Sequence, residues 1–368
     1  MRPSDQTVAY ASAVAHSDSS SVTTAPRRPF RMPAEWARHA ACWMAWPCRE
    51  ENWADIAAAR ATYVAVARRI ADFEPVCMIA RPEHAGVAGR ALGPGIEIVP
   101  LPTDDSWTRD TAPTFVVDAD GALAGVCWRF NAYGGIYDHY ADTAQMARRV
   151  CDLLGVPAVE APIVLEGGAV HTDGEGALLT TTEVVLDPRR NPGLTRTEAE
   201  AVLCEHLGAA RVIWLTGAPD HDNTSGHVDN LACFAAPGVV LTLSADDPSD
   251  PQYDALRENL DRLRGARDAK GRRLDVIEAP QPRVRTRDGV RYSPSYLNFY
   301  LANGAVVMPF FDDPGDAQAR GILGRAFPGR AVVGVPAWTL ARSDGGVHCI
   351  TQQQPIARSP GAGSTAAR

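Results

Sequence analysis

A mixed α/β chain with five-fold internal repetition is predicted by three observations. Polar turns open at Asp105-Ser106-Trp107, Glu166-Gly167-Gly168, Ser225-Gly226-His227, Ser295-Tyr296-Leu297 and Asp344-Gly345-Gly346. Apolar runs follow the first four: Thr114-Phe115-Val116-Val117, Ala177-Leu178-Leu179-Thr180, Gly238-Val239-Val240-Leu241 and Ala305-Val306-Val307-Met308. The turns recur roughly every 50 to 70 residues, a spacing suited to one supersecondary unit each. Helical patterns lie between the units. Alternation of strands and helices alone favours a doubly wound sheet. The closed, pseudo-fivefold arrangement is preferred because chemically capable residues recur at the same point of successive units.

The helical patterns run over Trp53–Phe73, His139–Leu154, Arg196–Leu207, Gln252–Arg264 and Gly315–Phe327. In the first, Ile56, Tyr63, Val64, Ala67 and Ile70 recur at three- and four-residue steps, the spacing of one helix face. Thr195 followed by Glu198 is a capping box: a hydroxyl and a carboxylate that satisfy each other's backbone donors. Extended runs at Val76–Ala80, Ile96–Leu101, Arg211–Leu215 and Leu274–Glu278 supply further strands, and another is expected after Cys349. One domain over residues 31–356 follows. The Ser/Thr/Ala-rich residues 1–30 and the Pro/Gly/Ser/Ala-rich residues 357–368 are expected to be disordered flanks.

Composition narrows the function. The 368 residues carry a formal charge of −8, which argues against a nucleic-acid partner and mildly favours a cationic ligand. No apolar run reaches the ~18 residues of a membrane span, and the leader has no apolar segment of a signal peptide. The eight cysteines include no C-x-x-C pair, which reads as reduced, cytoplasmic usage without a disulfide framework or zinc site.

The candidate site starts from Cys349, which follows Gly345-Gly346 and precedes an expected strand. Glycine permits close backbone approach, which suits a thiol presented to a ligand and makes Gly346 a candidate substrate contact. The residues alone leave a buried structural thiol open. His348 is adjacent, and neighbours on a strand face opposite sides, so it is set aside as a base for Cys349. His227 and Asp229, two apart on an extended segment, would share a face, and histidine is suited to moving protons near neutral pH. A local polar pair is the alternative. Asp110 could partner a planar cation stacked on Trp107, or simply pair with Arg109. Glu166 could orient His227.

Taken together, six segments resemble a known family: Met32-Pro33-Ala34-Glu35-Trp36, Trp43-Met44-Ala45-Trp46-Pro47, Trp107-Thr108-Arg109-Asp110, Glu166-Gly167-Gly168, Gly226-His227-Val228-Asp229-Asn230 and Gly346-Val347-His348-Cys349. The chain resembles the agmatine deiminase and bacterial peptidylarginine deiminase family of the guanidino-group-modifying superfamily, in the right order from Arg31 to Pro355. The resemblance implies a five-bladed α/β propeller (pentein). It implies Cys349 as nucleophile, His227 as acid and base, Asp110 and Asp229 as guanidinium partners, Glu166 as the orienter of His227, and Trp107 packed on the guanidinium. No cofactor and no metal are implied, and a homodimer is a family-level expectation. Agmatine, hydrolysed to N-carbamoylputrescine and ammonia on the route to putrescine, is the favoured substrate. Another alkylguanidine, a peptidyl-arginine, or amidino transfer to an amine are the alternatives. One position departs from the family pattern. Before Gly226-His227 the family carries an acid and an asparagine, where this chain has Asn223-Thr224-Ser225. Asn223 is then the candidate contact for the substrate's tail, with Asp220 or Asp222 as substitutes.

Overall fold

Strand pairing divides the protein into five sheets of three or four strands and one short hairpin. The computed structural model describes residues 30–217, 223–287 and 289–357. The expected flanks therefore fall, apart from residues 30 and 357, outside the described residues.

Four sheets share one plan: an antiparallel hairpin, a helix, and a strand parallel to the hairpin's second strand. In the first of these, β4 (Thr114–Val117) pairs with β5 (Leu123–Arg129), α3 (Met146–Leu154) crosses over, and β6 (Ala158–Val164) joins parallel. The next has β7 (His171–Thr172), β8 (Ala177–Thr181), α4 (Arg196–Leu207) and β9 (Arg211–Leu215). Then follow β10 (Ala232–Ala236), β11 (Val239–Ser244), α5 (Tyr253–Gly265) and β12 (Asp275–Pro280). After the hairpin β13 (Thr286–Arg287) and β14 (Val290–Arg291) come β15 (Tyr300–Ala302), β16 (Ala305–Phe310), α6 (Asp316–Ala326) and β17 (Ala331–Pro336).

The fifth sheet is built from both ends of the sequence. The last strand, β18 (Gln352–Pro355), pairs antiparallel with β1 (His39–Ala45). α1 (Ile56–Ala71) then leads to β2 (Val76–Ala80), and α2 (Ala85–Leu92) to β3 (Ile96–Pro100), both parallel additions. The four-element repeat is thus present five times. Among the described residues no sheet closes on itself, and the doubly wound alternative fails because the strands do not join one sheet.

Local chemistry sets the helix bounds. α1 begins three residues later than its apolar pattern because Asp55 is its N-cap, accepting the Ala57 and Ala58 N–H groups at 2.8 and 3.1 Å. Its buried face is Ala59, Tyr63, Val66, Ala67 and Ile70. The capping box at Thr195 and Glu198 forms as expected. α3 is shorter than the span from His139 because Asp104 takes the Asp142 and Thr143 N–H groups, holding that segment in another path. α2 had no visible signal, as two of its eight residues are glycine, which weakens a helical pattern. No helix among the described residues is long and apolar enough to cross a membrane.

Candidate active site

Each of the five polar turns sits directly before the first strand of a sheet. Three coil into single helical turns, Thr108–Thr111, Gly167–Ala169 and Val228–Asn230, carrying Asp110, the Glu-Gly-Gly segment and Asp229. The expected extended segment at His227–Asp229 is therefore a correction: this is a tight turn. The two side chains still converge, because a β-carbon placed on Gly168 would lie 2.6 Å from His227 Nδ1 and 2.9 Å from both Asp110 Oδ1 and Asp229 Oδ2.

Of these groups Asp110 borders a cleft of about 200 Å³, lined also by Trp107, Tyr133, Asn223 and Cys349, with Glu51, Arg342 and Asp344 on its wall; His227, Asp229 and Glu166 are buried and are not part of its lining. Trp107 stacks on Trp53 with ring centroids 5.2 Å apart. It fits only because Gly345 has no side chain, since a β-carbon there would meet its ring at 2.3 Å. Gly346 is not part of the lining and packs instead on Asn298. Asp220 and Asp222 lie outside the described residues.

Cys349 Sγ lies 3.7 Å from Asp229 Oδ2. Burial pushes its thiol well up, and the Asp229 and Asp110 carboxylates push it further. The carboxylates differ. Asp110 accepts the Gly168 N–H on Oδ1 and the Tyr133 hydroxyl on Oδ2, both at 3.0 Å. Burial lifts its pKa to about 6, against the pull of His227. Asp229 is held below the usual carboxylate range. Burial opposes its charge, but His348, His227 and Arg109 outweigh that. Its Oδ1 is buried with no hydrogen-bond partner among the described residues.

His227 is fully buried, with Nδ1 3.6 Å from Asp110 and Nε2 3.5 Å from Glu166. Burial disfavours its charge, yet Asp110, Glu166 and Asp229 together raise its pKa to about 9. Both distances exceed a good hydrogen bond, so the imidazole is held mainly by charge. Glu166 is itself pinned by the buried Arg190, whose Nε donates to both its oxygens at 2.9 and 3.1 Å. Burial opposes its charge, but His227 and Arg190 together hold its pKa below the usual carboxylate range.

The sequence missed several supporting groups. The strand alternation used to set His348 aside does not hold, since it too lies in a turn. Its Nδ1 donates to Asp229 Oδ2 at 2.8 Å and its Nε2 to Glu35 at 2.9 Å, so both nitrogens are engaged. Glu35 also faces Arg109 at 3.4 Å and His171 at 3.6 Å, forming a buried charged layer beneath Asp229. Arg109 therefore serves Glu35, which leaves Asp110 for the cleft. Tyr133 has a left-handed backbone (φ 56°) that no sequence pattern announced. Asn298 carried a usable signal: it follows the fourth turn, where the other units place site residues.

A buried thiol, an imidazole and two carboxylates thus lie together at a small cleft, a set of groups chemically able to hold a planar cation next to a thiol. The family model for Porphyromonas-type peptidyl-arginine deiminase matches residues 31–355. Agmatine deiminase of Ectopseudomonas mendocina is 43% identical, with 91% of this chain and 98% of that protein covered. That of Pseudomonas aeruginosa is 41% identical over 92% of this chain and 99% of its own length. The solved agmatine deiminase of Enterococcus faecalis superposes with a TM-score of 0.86 at 33% identity, covering 89% of this chain and 96% of that one. The chain belongs to the Porphyromonas-type peptidyl-arginine deiminase family.

Proposed function

We propose that this protein is an agmatine deiminase, a hydrolase of the guanidine C–N bond that converts agmatine to N-carbamoylputrescine and ammonia. The observation that carries the reading is Asp229 Oδ1, an ionised, buried oxygen without a partner, in the same site as Asp110 and Cys349. A guanidinium offers planar, forked N–H donors, the shape two facing carboxylates accept best. Trp107 supplies a flat wall. We further read the five sheets as the blades of a propeller whose leading turns meet at the cleft, and residues 31–356 as one catalytic unit. The eight free thiols fit a cytoplasmic enzyme.

In this reading the thiol proton passes to solvent water as the bound cation's charge takes its place beside Asp110 and Asp229. The thiolate of Cys349 adds to the guanidinium carbon, giving a tetrahedral adduct. His227, protonated at neutral pH, donates its proton to the departing nitrogen, and ammonia leaves an amidino-thioether on Cys349. The now neutral imidazole takes a proton from water, the hydroxide adds to the same carbon, and collapse expels the thiolate and the ureido product. Glu166 keeps His227 in place through both proton transfers.

The tail of the substrate is the open specificity question for the cleft. Asn223 is neutral, while Glu51 and Asp344 supply acidic groups on its wall. Incubation with agmatine, arginine and a peptidyl-arginine, scoring ammonia and ureido product, tests the assignment. Turnover of agmatine without an added amine supports hydrolysis. Preference for arginine or the peptide, or ammonia-free transfer to an amine, contradicts it.

A further inference from the structure

Asn298, behind the fourth turn, has no part in the chemistry above, yet its side chain is wedged against the proposed nucleophile. It is 1% exposed. Its Oδ1 accepts the backbone N–H of His348 at 2.9 Å and of Cys349 at 3.3 Å, and these two donors fix which end of the amide is oxygen. The Nδ2 end then lies 2.9 Å from Asn230 Oδ1 and 3.2 Å from Cys349 Sγ. An amide nitrogen carries two hydrogens, one for each acceptor. Gly346 leaves room for this placement, since a β-carbon there would fall 2.2 Å from Asn298 Oδ1.

The Gly346 backbone also favours a charged sulfur, while the side chains around it other than Asn298 oppose a thiolate. Asp229 faces it from one turn and Asp110 from another, with Tyr63 of α1 the further titratable group bearing on it. His227 lies against the two carboxylates, and Arg109 reaches only the Cys349 carbonyl, through its backbone N–H. Among the described residues, Asn298 is the one neutral side chain that donates to Sγ.

We propose that Asn298 is a catalytic residue, whose Nδ2–H donates to the Cys349 thiolate before attack and receives it again when the amidino intermediate breaks down. Its Oδ1 meanwhile holds the turn that presents the sulfur. The proposal rests on Cys349 being the nucleophile. It adds a donor that works without forming or breaking a covalent bond.

The test is the pH profile of Cys349 alkylation by iodoacetamide in the substrate-free, full-length protein, followed by peptide mass mapping. Asn298→Asp keeps the shape and the Oδ1 acceptor but replaces the donor with oxygen, and Asn298→Ala removes both. Loss of a hydrogen bond to a charged sulfur moves the alkylation midpoint up by about 1 to 2 pH units. The same loss lowers kcat for agmatine by about 10- to 100-fold, with KM little changed. A folded variant with native alkylation midpoint and native kcat overturns the proposal. In the unmodified protein, the Asn298 side-chain amide NMR signals are expected to titrate with the alkylation midpoint, and signals that ignore it overturn the proposal without any variant. Alkylation confined to other cysteines, or a native protein inert to agmatine, strikes instead at the deiminase reading.

Discussion

Replacing Gly168 by alanine adds one methyl group at the point where three site residues meet. Its turn, Gly167–Ala169, has no left-handed backbone at this position, so alanine is conformationally acceptable and the effect is steric alone. The new carbon would stand 2.6 Å from His227 Nδ1, where ordinary contact begins at 3.4 Å. Asp110 Oδ1 and Asp229 Oδ2, at 2.9 Å, are crowded at the same time, so the imidazole cannot retreat without disturbing a carboxylate. Forcing a methyl group into a packed site costs about 1–3 kcal/mol of stability. A displacement approaching 1 Å in groups that transfer protons lowers the rate on the order of 10²-fold. The assay is steady-state ammonia release from agmatine, with kcat and KM resolved and thermal unfolding measured alongside. Gly324→Ala is the control, since its β-carbon meets nothing closer than Val332 at 3.8 Å. Gly168→Ala with the kcat and melting temperature of the native enzyme would refute the convergence of these three residues.

Glu166→Gln removes one of the charges that hold the proton on His227, whose pKa of about 9 then falls. The alkaline limb of kcat/KM moves to lower pH by about 1 to 3 units, the range one opposite charge contributes at this distance. A pH–rate profile that keeps its alkaline limb counts against Glu166 as the partner of His227. Asp110, with a pKa of about 6, is ionised only above that value. A guanidinium ligand therefore binds the Cys349→Ser variant progressively more weakly as pH falls through 6, by about tenfold per pH unit once Asp110 is protonated. Calorimetric titration across pH 5 to 8 checks this, and a flat affinity profile contradicts the role of Asp110.

What was legible in the sequence was the repeat and the residues that open each unit. Those turns combine glycine with charged groups, and the following apolar runs mark strands, so Cys349, His227, Asp110, Asp229 and Glu166 could be picked out as candidates, each weak alone and specific only in combination. The helix bounds that slipped depended on remote partners such as Asp104, which no local window contains. The supporting layer was hidden for the same reason. Arg190 reaches Glu166 from 24 residues away and Glu35 reaches His348 across 313, contacts that exist only after the sheets assemble. The two glycine roles were legible only in part. Gly168 and Gly345 make room for His227 and Trp107, a matter of space and not of turn geometry.

The central claim is that Cys349 carries the amidino group between two proton transfers by His227. Rapid acid quench of the enzyme during agmatine turnover, with mass mapping of the Cys349 peptide, tests it most directly. The account predicts an added mass of agmatine less ammonia on Cys349, absent from Cys349→Ala, which releases no ammonia. Turnover with no adduct on that peptide, or ammonia release by Cys349→Ala near the native rate, would contradict it.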